Sequence, residues 1–115
     1  MRKTPLRKRN PKRAAERFER DFGGKPYLEF IHGLECAICG ALCEWTEAAH
    51  VKSRGAGGRA ADLVPLCGTR WGILGCHAKF DAHDPEARSH EPRLRSLARR
   101  LWSEWQTRTE TEEGE

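Results

Sequence analysis

The residues able to do chemistry are gathered between Cys36 and His83, and the first of them are thiols. Cys36-Ala-Ile-Cys39 followed by Gly40 has the form of a metal knuckle. Two thiolates at that spacing can reach one Zn2+, and the small residue after them relieves the turn. Tetrahedral coordination needs a second pair, and the remaining cysteines are Cys43, Cys67 and Cys76. Cys67 and Cys76 are separated by eight residues rather than the usual two, but Gly68, Gly72 and Gly75 let the loop bulge out and return. Cys36, Cys39, Cys67 and Cys76 are therefore predicted to hold a structural zinc, with Cys43 free. Interleaved with these thiols are His50, Asp62, His77 and Asp81, and the cations Lys52, Arg54 and Arg59 in a glycine-rich stretch. Imidazole titrates near neutral pH, and glycine lets backbone and cations approach a phosphate closely.

A metal staple is also what the composition asks for. With 115 residues, 37% of them hydrophobic, the chain has material for one small core. The five cysteines are odd in number, no secretory signal is recognisable and no apolar run approaches membrane-spanning length. The expectation is a reduced, cytoplasmic protein with no membrane partner.

The elements that must position these residues come from hydrophobic spacing. Ala14, Ala15, Phe18 and Phe22 recur at helical intervals from Arg13 until Gly23 and Gly24 stop the pattern. Pro26 suits the first turn of a second short helix carrying Tyr27, Phe30, Ile31 and Leu34. A C-terminal helix from about residue 92 to 106 carries Leu94, Leu97, Ala98, Leu101 and Trp105 on one side and Arg93, Arg95, Arg99 and Arg100 on the others. The predicted organisation is a basic flexible tail over 1–12, a single domain over 13–106, and an acidic, disordered tail over 107–115.

Charge is unevenly placed. The formal net charge is +4, yet residues 1 to 20 hold nine Lys or Arg against Glu16 and Glu19. Such a run releases counterions on meeting a polyphosphate, so a nucleic acid is the expected partner.

The order of motifs adds to this. Trp45-Thr-Glu-Ala-Ala-His50, then Lys52 to Gly58, then Ala61-Asp-Leu-Val-Pro-Leu-Cys67, then Cys76-His-Ala-Lys-Phe-Asp-Ala-His83 resembles the HNH endonuclease family, with a phage-like basic N-terminal stretch in Lys3 to Arg7. The resemblance covers about half the chain, residues 34 to 83. It implies an α+β fold, a ββα-metal finger with strands around residues 43 to 51 and 62 to 66 and a helix from Cys76 to about His83, pinned by the four-cysteine zinc and flanked by helices. It implies metal-dependent hydrolysis of DNA phosphodiesters with little sequence preference, in which His50 is the general base and Asp62 and His77 belong to the catalytic set. His77 and Asp81, at i and i+4, would share a catalytic Mg2+ or Mn2+. Lys52, Arg54 and Arg59 would grip phosphates. Two positions differ from the family pattern: Ala49 stands where many members have a metal-binding His or Asp, and Asp62 replaces the middle Asn. Glu47 or water would complete the metal sphere, and His83 is a replacement ligand in reserve. A zinc-ribbon DNA-binding module without hydrolytic activity is the alternative reading, and a protein-binding adaptor using the C-terminal helix a third.

Overall fold

The computed structural model describes residues 10–113, so the run from Arg2 to Arg9 that supplies most of the predicted basic tail lies outside the described residues. Helix α1 (Pro11–Phe22) begins where the sequence offers a cap. The Asn10 side chain accepts from the backbone N–H groups of Lys12 (3.1 Å) and Arg13 (3.4 Å), and Pro11 fills the first turn. Gly23 and Gly24 then reverse the chain into α2 (Lys25–His32), which buries Tyr27 and Ile31.

Strands β1 (Thr46–His50) and β2 (Leu63–Cys67) form a two-stranded antiparallel sheet in the register Thr46↔Cys67, Ala48↔Pro65, His50↔Leu63. Both strands are edges, which is why β2 tolerates Pro65. The connection carries two 3₁₀ turns, Arg54–Ala56 and Ala60–Asp62. After β2 come α3 (Cys76–Asp81), α4 (Pro85–Arg88) and α5 (Glu91–Glu113). The result is a small α+β domain.

The sheet is too small to stand alone, and its stability comes from what covers it. Leu63, Val64 and Leu66 of β2 are fully buried, because the strand has neighbours on both faces. One cluster joins Val64 and Leu66 to Phe80 of α3 and to Leu94 and Ala98 of α5; the other joins Leu63 to Tyr27, Ile31 and Leu101. Helix α5 thus crosses both clusters, using Leu94, Ala98 and Leu101 at helical spacing.

Several predicted boundaries are corrected: the flexible tail does not extend to residue 12, because Asn10 caps α1 from Pro11, and the first strand begins at Thr46 rather than near Cys43. The C-terminal helix does not stop near Gln106 to leave a disordered tail from Thr107: α5 runs on to Glu113. Thr107 turns its hydroxyl onto the Ser103 carbonyl one turn back (3.0 Å), and the acidic run contains good helix formers and no breaker before Gly114. The helix predicted from Cys76 to about His83 ends at Asp81, with His83 at φ 60. Asp84 caps a separate helix, α4, by accepting from the Ala87 N–H (3.0 Å), so the chain must leave α3 before it.

Candidate functional site

Two groups of side chains emerge from this frame, one of sulfurs and one of imidazoles and charges.

The sulfurs of Cys36, Cys39, Cys67 and Cys76 all lie within 4.8 Å of one another. Separate pieces of chain bring them together. Cys36 and Cys39 sit in the turn before β1, where the Gly40 N–H bonds the Cys36 carbonyl (2.8 Å) and the Ala37 N–H bonds Pro65 of β2 (2.8 Å). Cys67 ends β2 and Cys76 begins α3. Gly75 makes the closure possible: a Cβ there would fall 2.3 Å from the Cys67 carbonyl oxygen and 2.4 Å from Gly68. Cys43 stands outside the cluster, its sulfur 3.4 Å from the Thr46 hydroxyl.

The cluster fits a metal rather than disulfides. All five cysteines are free. The Cys39 and Cys67 sulfurs are 3.8 Å apart, close to the edge of roughly 3.8 Å that a tetrahedron of thiolates has at a zinc–sulfur distance of about 2.3 Å. Backbone N–H groups point at the sulfurs, from Cys39 to Cys36 Sγ (3.5 Å) and from Cys76 to Cys67 Sγ (3.3 Å). Burial pushes the Cys36 thiol up, but the N–H groups of Cys39, Cys67 and Ile38 outweigh it and bring the thiol down to about 7. Burial raises the Cys67 and Cys76 thiols, so loss of all four protons requires a cation among them. A set of four thiols in this geometry is compatible with a structural metal such as zinc.

The second group lines a cleft of about 640 Å³. His50, the last residue of β1, stands on one wall with Lys52 and Arg54; His77, Asp81 and His83 come from α3 and the turn after it. His50 Nε2 lies 2.6 Å from the Asp21 carbonyl oxygen. A carbonyl only accepts, so Nε2 carries the proton and Nδ1 keeps its lone pair. The carbonyl is available because Asp21 lies in the last turn of α1, where main-chain oxygens have no helical partner. The Phe22 ring meets the imidazole edge-on, with centroids 4.9 Å apart. Burial, aided by the nearby Arg54, lowers the His50 pKa below its ordinary 6.5 against the opposing pull of the Asp21 carbonyl. The ring is therefore neutral at pH 7.

His77 lies between two carboxylates, with Nδ1 3.0 Å from Glu47 Oε1 and Nε2 3.2 Å from Asp81 Oδ2. His77 and Asp81, predicted to share a cation, lie on one side of α3 and contact each other directly, and Glu47 reaches His77 from β1.

Other predicted residues are placed differently. Asp62 does not line the cleft: its carboxylate accepts from the Arg59 N–H (2.9 Å), and its main-chain oxygen accepts from the Val51 N–H (2.8 Å). It braces the loop that follows His50. Lys52 and Arg54 line the cleft, but Arg59 does not; its guanidinium turns to the Gly58 carbonyl (3.0 Å) and to Asp21 (3.6 Å). The Asp21 carboxylate is buried, and its hydrogen bond from Arg20 holds it below the usual carboxylate range.

Sequence reasoning missed two contributors, the Asp21 carbonyl and Arg88. The Asp21 carbonyl is main chain and has no sequence signature. Arg88 and Arg95 reach the same cleft and are both held by Glu91, at 3.0 and 3.6 Å. Arg88 also covers the Phe80 ring at 3.8 Å, and its buried Nε has no hydrogen-bond partner. Arg95 is one of the arginines already singled out on the C-terminal helix, whereas Arg88 closes the separate helix α4 and carries no such signal.

Comparison of the chain with protein-family models, with curated proteins and with solved structures returned no match. No helix among the described residues is long and apolar enough to cross a membrane.

Proposed function

We propose that this chain is a metal-dependent DNA endonuclease of the HNH type, with His50 as general base. The observation that carries the reading is the imidazole itself: Nε2 is pinned by the Asp21 carbonyl, Nδ1 is left unprotonated, and the ring lines a cleft bordered by cations and a His–carboxylate pair. A general base for water needs a free lone pair, a fixed orientation and a pKa below the working pH, and His50 has all three.

His77 and Asp81 are the residues that would hold a divalent cation. Their ligand atoms are 3.2 Å apart, near the separation of roughly 3.0 Å between adjacent ligands of an octahedral ion bound at about 2.1 Å. When bound there, Mg2+ or Mn2+ neutralises charge developing on the phosphate. Lys52 and Arg54 on one wall, with Arg88 and Arg95 on the other, draw the DNA backbone into the cleft. Asp62 positions the loop carrying Lys52 rather than touching substrate. Cys36, Cys39, Cys67 and Cys76 would hold a zinc that ties the end of β2 to the start of α3, the helix that carries His77.

A second reading, a zinc-stabilised DNA-binding module without hydrolysis, draws on one observation: both nitrogens of His77 already face carboxylates. Incubation with supercoiled plasmid and Mn2+ or Mg2+ decides between them. Metal-dependent nicking by the wild-type chain that His50→Ala abolishes, in a sample folded by circular dichroism, supports the nuclease. Salt-sensitive binding without cleavage supports the module. Equal nicking by both samples overturns the assignment of His50.

A further inference from the structure

The loop joining Cys67 to Cys76 is the most apolar exposed feature among the described residues. Trp71 is 80% exposed, Ile73 71% and Leu74 60%. The loop is nevertheless ordered by its own geometry. Arg70 and Ile73 exchange both backbone hydrogen bonds (3.1 and 2.9 Å), and the two residues between them, Trp71 and Gly72, have φ of 50 and 75. This is a two-residue turn of the I′ kind, which holds a hairpin tip tightly. A bulky side chain is rare in that left-handed backbone, where asparagine or glycine would be unstrained. Both feet of the hairpin are cluster cysteines. The strain and the exposure together present an indole to solvent on a rigid support.

The surroundings of that indole indicate what it meets. The Arg70 guanidinium lies 4.8 Å from the Trp45 ring centroid and 5.1 Å from that of Trp71, and the two indoles are 5.8 Å apart. The loop from Gly68 to Gly75 holds this arginine and no carboxylate. A purely apolar partner would strip water from the guanidinium with no return, whereas a nucleic acid offers π-faces for the indole and phosphates for the cation. The location agrees. Trp45 immediately precedes β1, and Glu47 within that strand contacts His77, which lines the cleft.

We propose that this hairpin is a nucleobase-binding finger: Trp71, backed by Arg70 and Trp45, stacks on an unpaired base of the strand whose phosphates the His50 cleft holds. The proposal rests on the nuclease reading and narrows its substrate to single-stranded or locally opened DNA.

The test measures binding, by fluorescence anisotropy with no added Mg2+ or Mn2+, to a labelled single strand, a matched duplex and a duplex with an internal mismatched bubble. The wild-type chain is expected to favour the single strand and the bubble. Trp71→Asn suits the turn and removes the ring, so it should weaken binding to those two by about fivefold or more, the stacking of one base, and leave the duplex unchanged. Trp71→Tyr should retain most of the preference. Unaltered single-strand binding by Trp71→Asn overturns the finger while leaving the nuclease intact. So does a wild-type dimer in sedimentation that Trp71→Asn converts to monomer, since the loop then serves a second copy. Failure of the wild-type chain to bind any of the three DNAs overturns the nuclease reading and the finger with it.

Discussion

Replacing Cys67 with serine should abolish the native fold rather than weaken it. Fourteen buried apolar residues make up the core among the described residues, and four of them are alanines. Burial on that scale leaves a small domain near the low end of the usual stability of about 5–15 kcal/mol. A structural zinc contributes about 10–16 kcal/mol of apparent binding energy at neutral pH. Its loss therefore matches or exceeds the whole net stability of such a domain. Cys67 is the ligand where this matters most, because it ends β2 and lies beside the loop that returns to Cys76. Zinc content by mass spectrometry and thermal melts by circular dichroism form the assay. The expectation is one zinc per wild-type chain, and for Cys67→Ser no zinc and no cooperative transition. Cys43→Ser, outside the cluster, should melt within about 0.5 kcal/mol of wild type. A folded wild-type chain without zinc, or a Cys67→Ser variant that melts cooperatively near wild type, would refute the reasoning.

Gly75→Ala should cost much of the metal affinity, because its Cβ would sit 2.3 Å from the Cys67 carbonyl and 2.4 Å from Gly68 and push Cys76 off the cluster; a zinc-chelator competition showing wild-type affinity would contradict this. The pH–rate profile should fall on the acid side as His50 takes up a proton, with its midpoint below 6.5 because burial lowers the folded pKa. For the same reason His50 favours folding fully above 6.5, and stability declines as pH drops from 6.5 through the lower folded value; an acid limb centred above 6.5 would show that another group limits the rate. Arg95→Ala should lower the slope of log binding constant against log salt by about 0.9, one phosphate contact, with an unchanged slope placing the DNA elsewhere.

Much of the local structure was legible because short-range rules control it. The Cys36-Ala-Ile-Cys39 spacing identified a knuckle, and the glycines between Cys67 and Cys76 marked a loop able to close on it. The helix from Arg13 and the stripe Leu94, Ala98, Leu101 followed from hydrophobic period, and the strand expected over 62 to 66 followed from the order of motifs, forming as Leu63–Cys67. Helix ends were less legible. Asn10 and Asp84 act through single side-chain bonds to the backbone, and the extension of α5 past Thr107 depends on a hydroxyl folding back one turn.

The site divides in the same way. Residue types by themselves determined which groups could bind a soft metal, carry a proton or attract phosphate, because those capacities belong to thiols, imidazoles and cations wherever they stand. Tertiary structure alone decided which of them work together. It set the Asp21 carbonyl against His50, from 29 residues away. It turned Arg59 toward Asp21 and Asp62 toward a backbone N–H, and it brought Arg88 and Arg95 to the cleft. The physical reason is that a main-chain carbonyl has no identity in a sequence. The direction of a long side chain, likewise, is chosen by its nearest opposite charge, which only the folded chain supplies.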